Sequence, residues 1–116
     1  MTTESPLRTQ LRSALLDARL ARDTVATSTV RTVLAALENA EAVPVGSVHA
    51  AGAIEDSVRG VGEADAPRRV LSDADERAIL EAEIASLDEA VAAYDGVAPE
   101  RAAAARAGIK VLAALR

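Results

Sequence analysis

His49 is the only histidine in the chain, and it lies in a glycine-rich stretch with Glu55 and Asp56 six and seven residues later. Histidine with nearby carboxylates is the raw material of a metal site or a general base. A metal site, however, needs three or four ligands at matched distances. One histidine and two ordinary acids do not supply that pattern, so His49 reads as a solvated loop residue. The acids Glu81, Glu83, Asp88 and Glu89 are spaced along a single helical segment. Carboxylate catalysis needs burial or like-charge crowding to move a pKa, and the spacing signals neither. They read as a solvated face, or as a docking surface for the arginines of the first segment.

Ser5, Ser28, Ser47, Ser57, Ser72 and Ser86 have no histidine to pair with except His49, and no GxSxG elbow is present. The glycines of GVGEAD, at 60 and 62, fit neither GxxxxGK[ST] nor GxGxxG. Cysteine is absent, which removes disulfides, a thiol nucleophile and thiolate metal ligands. No catalytic, cofactor-binding or metal-ligating residue is assigned, and no cofactor is expected.

Arginine is the one residue type whose pattern suggests recognition. Arg8, Arg12, Arg19 and Arg22 form a stripe on the first segment, Arg31 lies on the second, and Arg68 and Arg69 make a smaller basic spot. Such a group could meet an acidic protein surface or phosphates. It could equally cover apolar surface with its long stems or pair with the acidic third segment.

The elements that must position these residues are helical. Of 116 residues 28 are alanine, the best helix former and one that adds little bulk. The composition predicts an all-α domain, in which two helical hairpins are joined by a long Gly-rich loop. The first segment is expected over 6–22, with Ser5 as N-cap and Pro6 at the first helical position. Leu7, Leu11, Ala14 and Ala18 share one face; Leu16 and Leu20 lie on the other, which suits a homodimer or a partner contact. The second is expected over 24–42, capped by Asp23 or Thr24 and stopped before Pro44, with Val30, Val33, Leu34 and Leu37 inward. Residues 43–70 hold four of the six glycines and read as an irregular loop with room for a short helical turn over 50–58.

The third segment is expected over 73–95, with Ser72 and Asp75 resembling a capping box. Leu80, Ile84, Leu87, Val91 and Tyr94 form its packing seam, and Gly96 is its C-cap. The fourth is expected over 99–115, with Ala105, Ile109, Leu112 and Leu115 inward and Gly108 placed to allow close helix contact.

The formal charge of −5 argues against free binding to nucleic acid, where phosphate neutralisation supplies much of the affinity. No run approaches the roughly 18 apolar residues of a membrane span. The N-terminus, MTTESPLRTQ, lacks an apolar signal core, so a cytoplasmic location is the expectation.

In order and texture the segments resemble the GatB/YqeY-like family. LRSALLDARLARD, from Leu11 to Asp23, is similar to that family's opening "AMKARD" helix, and VRTVLAALENAE, from Val30 to Glu41, to its "AIKNEE" stretch. VLSDADERAILEAEI, from Val70, resembles its "LSDEE" segment. AVAAYDG, from Ala90, and PERAAAARAGIKVLAAL, from Pro99, resemble the two stretches that follow. The Gly-rich insertion from Val43 to Arg69 looks like an actinobacterial version. The resemblance implies a single N-terminal-type helical domain over 1–116, with the family's second, tRNA-amidotransferase-like domain missing. It implies an accessory role in tRNA-linked amidation, and no catalytic residue carries over.

The leading expectation is therefore a non-catalytic helical accessory protein that binds a protein or ribonucleoprotein partner. Direct tRNA or RNA binding through the arginine stripe is the alternative, and an enzyme of amide or carbon–nitrogen ligase type ranks lower.

Overall fold

In a computed structural model the chain is described over residues 4–42 and 69–116. These residues contain four helices and no strand: α1 (Pro6–Leu20), α2 (Thr24–Ala42), α3 (Asp73–Tyr94) and α4 (Pro99–Ala113). The all-α expectation holds. His49, Glu55, Asp56, Arg68, the glycines at 60 and 62, and the turn suggested over 50–58 lie outside the described residues.

Local chemistry sets the helix limits. The Ser5 side chain accepts the Arg8 N–H at 3.2 Å, and Pro6 follows it at the first helical position. Asp23 caps α2 by accepting the Ala26 N–H at 3.0 Å. Ser72 and Asp75 form a full capping box. The Asp75 N–H donates to Ser72 Oγ at 3.0 Å, and the Ser72 N–H donates to Asp75 Oδ2 at 3.0 Å. Gly96, at φ +74°, makes the left-handed turn after α3.

Three helices end slightly earlier than their sequence patterns suggest, at Leu20, Tyr94 and Ala113. At the first end, the Asp23 N–H reaches back to the Ala18 carbonyl at 2.9 Å and the Arg22 N–H to that of Arg19 at 3.1 Å. This Schellman arrangement satisfies carbonyls that a longer helix would have bonded.

The capping box also makes stability depend on pH. Hydrogen bonds from the Ser72 backbone and side chain, the backbone one foremost, hold the Asp75 carboxyl below its usual range. A lowered folded pKa stabilises the fold above the unfolded value, about 3.9 for Asp, and the contribution is lost as pH falls through the folded pKa. Ser72→Ala removes the side-chain acceptor of the N-cap and should destabilise the protein by about 1 kcal/mol at neutral pH, measured by urea unfolding; its acid limb should be only slightly shallower than that of the wild type, because the backbone hydrogen bond to Asp75 remains.

The short links at 21–23 and 95–98 pair α1 with α2 and α3 with α4 as hairpins. α2 packs against all three other helices. The four share one core of Leu11, Val30, Val33, Leu34, Leu37, Leu80, Ile84 and Leu112. The seam foreseen on α3 is buried at Leu80 and Ile84 and half-buried at Leu87, Val91 and Tyr94. Gly108 lets α4 approach closely, since a Cβ there would lie 3.0 Å from Thr29 Oγ1 and 3.2 Å from Leu87 Cδ1. Among the described residues no helix is long and apolar enough to cross a membrane.

Candidate recognition surface

The arginine stripe divides into three fates. Arg8 is turned inward. Its Nη1 and Nη2 lie 3.0 Å from Glu41 Oε1 and Oε2, and its Nε lies 2.9 Å from Glu76 Oε2. This is a fork on the last turn of α2 plus a third bond to the first turns of α3. The hydrogen bond to Glu41 foremost holds the guanidinium even more firmly protonated than usual. Arg8 therefore leaves the set of surface candidates: its side chain is only 14% exposed, and the reason is that α1 enters the core beside two acids.

Glu76 is the residue that sequence reasoning missed. It is 3% exposed, and its Oε1 has no hydrogen-bond partner. A core lined only by small and branched apolar groups is thus corrected to one crossed by an ion cluster. The Arg8 guanidinium is engaged by two carboxylates through Nε, Nη1 and Nη2. A small void of about 60 Å³ lies beside the cluster, between Pro6, Leu7, Asp73, Glu76 and Arg77, and Glu76 Oε1 is sealed from solvent.

Arg12 pairs with Glu4 on the outer face. Arg69 is exposed, and its backbone N–H donates to the Glu41 carbonyl at 3.0 Å. The acids of α3 do not receive the remaining α1 arginines. Glu81 instead takes a two-pronged pair from Arg116, at 2.7 and 2.8 Å, because the end of α4 returns alongside α3. That pairing holds the Glu81 carboxyl below its usual range. Tyr94 packs under the Arg101 guanidinium, 5.6 Å from the ring centroid.

Arg19, Arg22 and Arg31 come together. They line one open depression of about 620 Å³ at the α1–α2 corner, with Thr24, Thr27 and Ser28 among its other walls. None of the three is paired with an acid among the described residues. Asp23, the one acid in the lining, is engaged with the Ala26 N–H. Arg22 occupies the C′ position of the Schellman turn at φ +56°, where glycine is the usual residue. The left-handed conformation costs a residue with a Cβ roughly 1 kcal/mol. Arg22→Gly relieves that cost but adds roughly 0.5–1 kcal/mol of glycine's extra backbone entropy, so in a denaturant titration stability should rise by no more than about 0.5 kcal/mol, while one cation is removed from the depression. Leu16 and Leu20 stand near this corner on α1, 57% and 75% exposed.

Among the described residues no group of three histidine or acidic side chains is placed to hold a metal ion. Compared with known proteins, the chain matches no family model, no curated protein and no solved structure.

Proposed function

We propose that this chain is a non-catalytic helical interaction protein of the cytosol that binds an acidic protein partner at the α1–α2 corner. The observation that carries the reading is the convergence of Arg19, Arg22 and Arg31 on one depression without acidic partners among the described residues. In a chain of charge −5, an unbalanced cationic corner favours one orientation of approach and repels acidic surfaces elsewhere. An arginine at the left-handed position 22, where glycine would be easier, supports the same reading.

The process this proposal favours is the accessory role in tRNA-linked amidation that the GatB/YqeY-like resemblance implies. It is supported by the order of the segments quoted above. RNA is the second reading, favoured by the hydroxyl groups of Thr24, Thr27 and Ser28 beside the cations, which suit phosphate oxygens.

Fluorescence anisotropy with labelled polyglutamate and with tRNA separates the two. The wild type is expected to bind polyglutamate, and Arg19→Glu/Arg31→Glu to weaken it by about tenfold or more, with Arg116→Glu as a control of little effect. Tighter binding to tRNA, lost in the same double variant and steeply salt-dependent, would replace the protein reading with the RNA one. Leu16 and Leu20 also suit a second copy of the chain. Light scattering that finds a monomer at millimolar concentration would remove the dimer.

A further inference from the structure

A second depression, of about 420 Å³, lies on the other side of α2, floored by Val25, Leu87, Ala90 and Tyr94 and edged by Arg101. Thr24 and Ser28 line both this groove and the cationic one. They stand one helical turn apart on the exposed edge of α2, so two short hydroxyl side chains lie on the border between the groove of Val25, Leu87 and Tyr94 and the depression of the arginines. A low ridge of this kind lets another backbone approach closely.

From this juxtaposition we infer that the partner's contact element is an acidic amphipathic helix lying across the first turns of α2. The inference rests on reading the corner as an acidic-partner site, and it adds the form the partner takes. The helix sets its apolar face into the groove of Val25, Leu87 and Tyr94, and its carboxylates face Arg19, Arg22 and Arg31. Arg101 lies on the far edge for a further acid.

The geometry selects a helix over other peptide forms. An extended strand needs an open sheet edge, and the described residues contain no strand. A polyproline segment needs an aromatic-lined groove, and the chain has a single tyrosine with no tryptophan or phenylalanine. A helix about 10–12 Å across presents two chemically distinct faces side by side, and the two depressions ask for that pairing.

The test uses the full chain and two labelled peptides of about 18 residues, long enough to be helical, built from Leu, Ala and Glu. One is amphipathic; the other has the same composition scrambled. The amphipathic peptide is expected to bind about tenfold more tightly than the scrambled one. Val25→Ser/Tyr94→Ser should erase that preference while leaving the weaker charge-driven binding of the scrambled peptide, which also reports that the variant is folded. Equal binding of the two peptides to the wild type overturns the helix inference and leaves the acidic-partner reading standing. Failure of both peptides and of polyglutamate overturns both. Displacement of the amphipathic peptide by tRNA at lower concentration also overturns both, in favour of an RNA ligand.

Discussion

Arg8→Ala is expected to destabilise the protein by about 2–4 kcal/mol in urea unfolding at neutral pH. The variant removes one cation and strands two carboxylates, one on Glu76, which is 3% exposed, and one on Glu41, whose side chain is 27% exposed. Breaking a buried ion pair from one side costs about 3–5 kcal/mol, because the remaining charge has no water to return to. The partial exposure of Glu41 brings the figure here below the top of that range. A second variant separates this cause from lost packing. Replacing all three members with apolar groups, as Arg8→Met, Glu41→Leu and Glu76→Leu, removes the stranded charge together with its partner. It is expected to match or exceed the wild type in stability, since desolvating three ions offsets much of their attraction. An Arg8→Ala protein that unfolds within about 0.5 kcal/mol of the wild type would mean that the cluster is open to water and contributes no more than a surface pair.

That cluster also marks where the sequence ceased to be readable. The caps at Ser5, Asp23 and Ser72 and the turn at Gly96 follow from residue type, because each is set within a few residues along the chain, and the inward stripe of α2 follows from helical spacing. Glu76 is one acid among eight between Asp73 and Asp95, and by composition it belongs with the solvated face. Its position said otherwise: 76, 80 and 84 fall at helical spacing, in line with buried Leu80 and Ile84. Arg8, between Leu7 and Leu11, flanks the matching stripe on α1. The signal was periodicity overriding charge, and the partner that makes burial tolerable comes from a different helix, which local reading does not see. The cationic corner was half legible. Arg19, Arg22 and Arg31 stood out by type, but their convergence depends on a left-handed turn at a residue with a side chain, which residue preferences do not forecast. The pairing of Glu81 with Arg116, in place of an α1 arginine, likewise depends on how α4 returns along α3.

Gly108→Val is expected to cost about 2–3 kcal/mol, although glycine within a helix is ordinarily a weakness that any other residue relieves. The reason is the crossing of α4 over α2 and α3. A Cβ at 108 would meet Thr29 Oγ1 at 3.0 Å and Leu87 Cδ1 at 3.2 Å, and valine places two further methyl groups beyond that point. Gly108→Ala is a closer contest. Alanine gains up to about 1 kcal/mol of helix propensity and gives back a similar amount by pressing on the Thr29 hydroxyl, so its net change should be small. Thr29→Ala removes the nearer obstacle. In that background Gly108→Ala should stabilise by about 0.5–1 kcal/mol, and the difference between the two settings measures the contact itself. The same contact holds the first turns of α2 beside Leu87, where the apolar groove opens. Gly108→Val should therefore weaken the amphipathic peptide more than the scrambled one under conditions where the variant remains folded. A valine variant as stable as the wild type would show that α4 stands further from α2 than the 3.0 Å approach requires, and the shape of that groove would have to be redrawn with it.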